Sequence, residues 1–452
     1  GSEKQMKNIL RIGSGSAYAE DDLIPAIDLA EKGDLDYICF DSLAERTLAL
    51  AQQRKSSNPH LGYDLRLEEL VKTFAPYVGK GKLKVIGNMG AANPIAAVEK
   101  AMEICKEMGI TDVRFAAITG DDISDKIESL NPILWETGER LSQLDGKVVC
   151  ANAYTGVEGI VEALEKGANF IIGGRLADPS LYVAPMIHEF GWSLDDWGKI
   201  GKGTLIAHIL ECGTHVTGGN FADPPYRMVP DLDNLGLPIG EIDPSGNAII
   251  TKLDSTGGMV SEGTVKTQMV YEVHDPARYV TPDVTCNMRY AEVKEESKNR
   301  ISVTGASGEK HPENLKVMVG VSEGYIGEGE VSFAGPGASE RAKLSREILR
   351  KRINRRYGDQ LEELRIDIIG LDSIHANAST LPTEELHDAR VRVAARTKDK
   401  KIAEAIGKEV EWQFFGPSGG GGFRKNIREV LTMYSTLVPR SEFKYDVQLK
   451  EV

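Results

Sequence analysis

The sequence predicts an α/β protein: an N-terminal parallel sheet of βα units, then a smaller C-terminal α+β domain of ferredoxin-like kind. Three observations carry that prediction. Over about the first 190 residues one unit repeats, a short apolar or β-branched run, a polar or glycine-containing turn and a stretch of helical period. From about residue 200 the texture shifts to longer loops with paired glycines, and beyond residue 316 regular strand and helix patterns return. The expected division is an α/β domain over 6–235, with a ligand crevice at its strand carboxyl ends, and a β-containing region plus α+β domain over 236–452.

In chain order the βα units read LRIGSGSAY (10–18), DYICFDSLAE (36–45), LKVIGNMGAAN (83–93), VRFAAITGDD (113–122), VVCANAYTG (148–156) and FIIGGRLADPS (170–180). Strands alternating with helical patterns imply parallel pairing. In NPIAAVEKAMEICKEMG (93–109), Asn93 serves as N-cap and Pro94 takes the first helical position. Ala97, Ala101, Ile104 and Met108 form a stripe there, and Gly109 closes the helix. GVEGIVEALEKG (156–167) follows the same logic, closing at Gly167. The middle region offers strands at 247–253 and 301–305 and is expected to fold back over the crevice. Next come strands at 316–322 and 329–334, a helix at 338–356, strands at 365–371 and 389–397 and a helix at 401–415, ending in a flexible loop, GPSGGGGFRKN (416–426).

The chain has 452 residues, 41% hydrophobic and 27% charged, a soluble globular composition. No run approaches the roughly 20 apolar residues of a membrane span, and GSEKQMKNIL lacks a secretory pattern, its leading Gly-Ser reading as a cloning scar. A cytoplasmic location with no membrane partner is therefore expected. The five cysteines are odd in number, widely spaced and without a CxxC pair, unlike a disulfide framework or zinc knuckle. A net charge of −14 argues against a nucleic-acid partner, whose phosphates need clustered Lys and Arg. A homo-oligomer is expected from size and class.

The turns after the strands hold Ser14, Ser16, Asp41, Ser42, Asn88, Asp121, Asp122, Asn152, Tyr154, Arg175 and Asp178. In parallel sheets that edge faces the ligand crevice, although Asn, Asp and Ser also serve there as caps and turn formers. Arg175 follows Gly173 and Gly174, so it either clamps a carboxylate or phosphate or forms a salt bridge with Asp178. The loop ECGTHVTGGNFADP (211–224) either lines an anion, with His215 as acid or base, or is a crossover between domains. His208, Glu211 and His215 have partial metal spacing, but Gly213 is expected to end the helix after Cys212 and break the shared face, so no metal site is assigned. Cys212 is the better candidate thiol, and Cys150 reads as a buried apolar residue. No stretch matches GxxxxGK[ST] or GxGxxG, leaving the cofactor unassigned and giving a dehydrogenase no support.

GDLDYICFDSLAERTLAL, VVCANAYTG, GGRLADPSLYVAPMIHEFGW, ECGTHVTGGNFADP, STGGMVSEGTVKTQMVYEVHDP and GEGEVSFAGPGA together resemble the acyclic terpene utilisation, AtuA-like, family, and GPSGGGG extends the likeness. The resemblance implies a setting among the carboxylases, dehydrogenases and hydratases of branched acyl-CoA breakdown, with no assigned catalytic residues. The expected function is lyase, hydratase or isomerase chemistry beside a carbonyl on a small-molecule carboxylate or acyl-CoA. His215 and Asp178 would be catalytic, and Arg175, Asn88, Asn152, Asp41, Thr217, Gly218, Gly219 and Asn220 would bind substrate. Two alternatives stand beside it: a non-catalytic acyl-CoA or carboxylate binding subunit, and a metal-dependent hydrolase using His208, Glu211 and His215.

Overall fold

A computed structural model describes residues 8–376 and 386–452. The Gly-Ser pair and lysines read at the N-terminus lie outside that range. The protein is mixed α/β and forms two compact units. The first comprises the described part of Gly1–Ser142 with Val149–Gly320 and Met433–Val452; the second comprises Gln143–Val148 and the described part of Val321–Thr432. The first unit thus continues well past residue 235.

In the first unit the chain runs through β1 (Leu10–Ser16), α1 (Ile24–Lys32), β2 (Tyr37–Phe40), α2 (Glu45–Ser57), α3 (Leu67–Gly79), β3 (Lys84–Gly87), α4 (Pro94–Met108), β4 (Arg114–Thr119) and α5 (Ile127–Leu130). There follow β5 (Lys147–Ala153), α6 (Glu158–Glu165), β6 (Phe170–Gly173), α7 (Asp178–Phe190) and α8 (Trp197–Glu211). Then come β7 (Pro238–Ile242), β8 (Ala248–Lys252), α9 (Glu262–Val270), β9 (Tyr279–Val280), β10 (Thr285–Asn287), β11 (Glu292–Ser297), β12 (Arg300–Thr304) and β13 (Ser307–Glu309).

Five parallel strands, in the order β1-β2-β3-β6-β4, form the centre of a ten-stranded sheet. Antiparallel β7, β8, β12 and β11 extend it beyond β1, and a C-terminal strand closes its other edge against β4. Apolar side chains of the central strands are buried on both faces: Tyr37, Cys39, Ile86 and Ile171 in one core, Ile38, Phe40, Val85, Phe170 and Ile172 in the other. Strands covered on both sides read as continuous apolar runs, which is why they were visible in the sequence. The helix signals also correspond to structure. Asn93 Oδ1 accepts the Ala96 N–H at 3.2 Å, and Gly109 closes α4 in the left-handed region. Met108, however, is exposed rather than part of the buried stripe.

Four readings need correction. The run at 148–156 is a strand, but β6 pairs directly with both β3 and β4, leaving β5 no place in the parallel sheet; it pairs instead with the long strand that begins at Asn314. The middle region does not simply cover the crevice: β7, β8, β11 and β12 prolong the main sheet, while β9, β10 and β13 form a small sheet against α8. Stretches 316–322 and 329–334 are one strand, β14 (Asn314–Ala334). And 416–426 is not wholly loop, because a long strand starts within it at Gly421.

The second unit is built from β14, α10 (Ala338–Tyr357), β15 (Glu363–Ile369), β16 (Asp388–Thr397), α11 (Lys400–Glu411) and β17 (Gly421–Pro439), a β-α-β-β-α-β order. Its strands lie in the order β15-β16-β14-β17. Strands β14 and β17 carry the chain between the units, and β18 (Asp446–Glu451) is the strand that pairs with β4. Its core gathers Val331, Phe333, Leu349, Ile353, Val391, Val393, Ile406 and Val410. Gly327 permits this packing, since a Cβ there would fall on the backbone carbonyl of Ala403 in α11. Gly327 therefore marks a close helix–strand approach.

Gly327→Ala should destabilise the protein by about 1–3 kcal/mol by forcing α11 off the sheet. Gly421→Ala, where nothing lies within 4 Å of the added carbon, should be near neutral. Urea unfolding of the two variants checks this.

Candidate functional site

At the carboxyl edge of the parallel strands, the turns after β2, β3, β4 and β6 meet in a buried polar network centred on Arg175. Its guanidinium, only 2% exposed, donates from Nη1 to the Leu43 carbonyl at 3.0 Å and from Nη2 to the Leu176 carbonyl at 2.8 Å and Asp178 Oδ1 at 2.7 Å. Its plane also lies 4.8 Å from the Tyr154 ring centroid. Burial works against the charge, but Asp178, Tyr154 and Asp41 outweigh it and hold the arginine charged. Of the two sequence readings, the structure thus contains the salt bridge, and only Nε lacks a hydrogen bond.

The backbone N–H of Arg175 donates to Asp121 Oδ2 at 2.9 Å, which also receives Asn152 Nδ2 at 2.8 Å. Gly174 makes the approach possible: a Cβ there would sit 2.6 Å from Asp121 Oδ1. On the other side Asn88 donates to Asp41 Oδ1 at 3.0 Å and accepts the Ser42 N–H at 2.6 Å. Burial, then repulsion from Asp178, pushes the Asp41 carboxyl well above the ordinary carboxylate range, with Arg175 opposing. Burial also raises Asp121. Asp41 and Asn88 therefore satisfy each other inside the protein, and Asn152 is paired with Asp121.

Asp178, at the start of α7, is the outward member of this network and lines a cavity of about 630 Å³. Across the cavity, α8 presents His208 and Glu211, three residues apart and therefore on one helical face. Glu272, Tyr279 and Thr281 complete the polar lining, with Tyr154 from the turn after β5. Val280, Pro282, Leu315, Leu437 and Trp135 make the apolar wall, and Lys316 stands exposed at the rim, 5.2 Å from the Tyr154 ring centroid.

His208 Nδ1 and Glu211 Oε1 are 3.1 Å apart. Burial pushes the imidazole down to about 4, and burial reinforced by Asp178 and Glu272 pushes the Glu211 carboxyl well up. Both shifts favour the uncharged forms, a protonated carboxyl against a neutral imidazole. Glu211 Oε2 makes no hydrogen bond in the protein. A buried carboxylic acid kept neutral at pH 7 is a competent proton donor.

A family model described as "Acyclic terpene utilisation family protein AtuA" matches residues 10–449. The chain belongs to that family. No curated protein and no solved structure matches it.

Other residues singled out in this AtuA-family chain lie apart from the cavity lining. His215 sits in a 3-10 turn with its ring edge-on to Tyr271 at 5.2 Å. Thr217 Oγ1 donates to the Gly236 carbonyl at 2.7 Å, and the Gly218 and Gly219 N–H groups are taken by the His215 and Thr214 carbonyls, at 3.2 and 2.9 Å. Asn220 is exposed. Loop 217–220 is thus tied to its own neighbours and lies within the Val149–Gly320 span of the first unit. Among the described residues no group of three or more His, Cys, Asp or Glu is placed to hold a metal ion. Cys212 and Cys150 are each pushed up to about 12 by burial, leaving both thiols protonated at neutral pH. No helix among the described residues is long and apolar enough to cross a membrane.

Beside the cavity wall lies a second buried acid. Asp283 accepts the Val157 N–H at 2.9 Å and the Ser180 hydroxyl at 2.5 Å, joining the starts of α6 and α7. Burial, then the charge of Glu158, raises it to about 7.

Removing the guanidinium with Arg175→Met should cost on the order of 3–5 kcal/mol in chemical denaturation, because buried acceptors and an acid lose their partner. For Asp283 the folded protein takes up a proton that an unfolded aspartate, near 3.9, does not hold. Its contribution is favourable at acid pH and is lost as pH rises through about 4 to 7. Asp283→Asn should therefore gain stability relative to wild type between pH 5 and pH 8, read as a shift in urea midpoint.

Proposed function

We propose that this AtuA-family protein is an enzyme of branched-chain acyl catabolism that moves protons beside a carbonyl, in a lyase, hydratase or isomerase reaction. The observation that carries this reading is the pairing in one cavity of Glu211, held on His208 and driven by desolvation toward its protonated form, with an arginine-paired Asp178. General acid–base enzymes need one group that can give a proton and another placed to take one. Family membership supports a role in acyclic terpene utilisation.

In this reading a substrate carbonyl oxygen faces Glu211 and its adjacent carbon faces Asp178. Asp178 takes the proton from that carbon as the carbonyl oxygen receives one from Glu211, giving an enol; the charges balance without a free enolate. His208 Nδ1, hydrogen-bonded to Glu211 Oε1, holds the carboxyl in place, and Glu211 recovers its proton from the enol hydroxyl as Asp178 gives its proton to carbon. Arg175 is a positioning residue, fixing the Asp178 carboxylate rather than clamping a substrate anion. The apolar wall accommodates a branched hydrocarbon skeleton.

Exchange of deuterium from D2O into the carbon beside the carbonyl of branched acyl thioesters, followed by mass spectrometry, tests this directly. Wild type should exchange, and Glu211→Gln and Asp178→Asn should each slow exchange by roughly 10²–10⁴-fold with folding intact. Unchanged exchange in both variants, or no exchange with any thioester, would sink the proposal, the latter favouring a binding subunit. A loss in His215→Ala as large as in Glu211→Gln would return proton transfer to the 211–224 loop.

A further inference from the structure

The cavity has two chemically different ends. Its inner end is formed by the buried His208 and the half-buried Glu211, Tyr279 and Asp178, so it combines acids with an imidazole. Its outer end is formed by exposed Glu313, Asn314 and Lys316. Glu313 lies 3.5 Å from Lys310, whereas Lys316 forms no ion pair among the described residues and rests only against the Tyr154 ring. Val280, Pro282, Leu315 and Leu437 supply apolar lining.

This zoning constrains what can enter. A substrate carboxylate at the inner end would bring a second negative charge beside the Asp178 carboxylate. Arg175 offers it no help, since both terminal nitrogens are engaged by Leu43, Leu176 and Asp178. A neutral carbonyl meets no such penalty and can accept the Glu211 proton. At the rim the position is reversed, because an unpaired ammonium beside an open mouth attracts an anion.

The geometry points to a polar ligand bound in one direction: a neutral carbonyl on a short branched chain against Glu211, and an anionic end held outside by Lys316. This rests on the acid–base reading of the same cavity and narrows its substrate class to carbonyl compounds with a distal anion, excluding simple branched carboxylic acids. Lys316 is then a specificity determinant. The anion can be the phosphate of a thioester carrier or a distal carboxylate.

Calorimetric titration of the full chain with four probes at pH 7.5 decides the matter. Isovaleryl-CoA has a neutral carbonyl with distal phosphates, levulinate a neutral ketone with a distal carboxylate, isovalerate a carboxylate in place of the carbonyl, and CoA alone no acyl group. At least one of isovaleryl-CoA and levulinate should bind at least tenfold tighter than isovalerate, and the one that does identifies the source of the anion. Lys316→Ala should weaken that probe roughly 5- to 20-fold, Lys316→Glu more, and Lys316→Arg should restore it. Rising salt should weaken wild type but leave Lys316→Ala almost unaffected.

Isovalerate binding as tightly as both carbonyl probes, CoA binding as tightly as its ester with no levulinate binding, no binding by either carbonyl probe, or indifference to all three Lys316 substitutions would each overturn the inference. Glu211→Gln separates this from the catalytic proposal. The amide keeps the inner end neutral, so Lys316-dependent binding should survive in that variant whether or not deuterium exchange is lost.

Discussion

The first unit depends on keeping one positive charge, Arg175, buried at the carboxyl edge of its parallel sheet. A guanidinium excluded from water is tolerated only when its donors are met and a counter-charge is close. Here the donors are met by backbone carbonyls of the turn after β2 and of its own turn, and the counter-charge comes from the first residue of α7. The Arg175 amide is held in turn by Asp121 from the turn after β4. One side chain thereby fixes the relative positions of three strand ends, and with them the mouth of the crevice.

The same residue explains why protons accumulate nearby. Asp41, Asp121, Glu211 and Asp283 are all raised chiefly by burial, and Arg175 is too far committed to Asp178 to neutralise the rest. Desolvated carboxyl groups without a cation keep their protons instead. A sheet edge with one ion pair and several acids whose proton affinity is raised is costly as a scaffold but suited to proton transfer. Asp178 and Glu211 differ in the essential respect: one faces a guanidinium, the other an uncharged imidazole.

What the sequence revealed follows from what is local. The parallel strands were legible because residues such as Ile38, Val85, Phe170 and Ile171 are apolar without alternation, and α4 because its cap, first-turn proline and closing glycine all lie within its own span. Arg175 and Asp178 stood out because three residues of sequence place them together. Glu272, Tyr279 and Lys316 did not: they arrive from the loop after α9, from β9 and from β14, and nothing within any one segment encodes that meeting. The strand at 148–156 was legible as a strand but not in its pairing, since the partners of a strand depend on which neighbours β6 has already taken.

The face of α8 shows how local spacing can be right while its chemistry is misread. His208 and Glu211 do share a helical face, as their three-residue interval requires, and His215 would extend that spacing to a metal triad only if the helix continued. It ends at Glu211: Gly213 turns the backbone into the left-handed region and the chain enters a 3-10 turn, leaving the His215 ring against Tyr271 instead. Two ligand-like side chains without the third, beside Tyr279 and Gln268, are each driven toward the uncharged form by burial. A helix terminus thus converts a metal-like spacing into a neutral acid–imidazole pair. The glycine that ends α8 is as much a determinant of the cavity's chemistry as the acid it leaves behind.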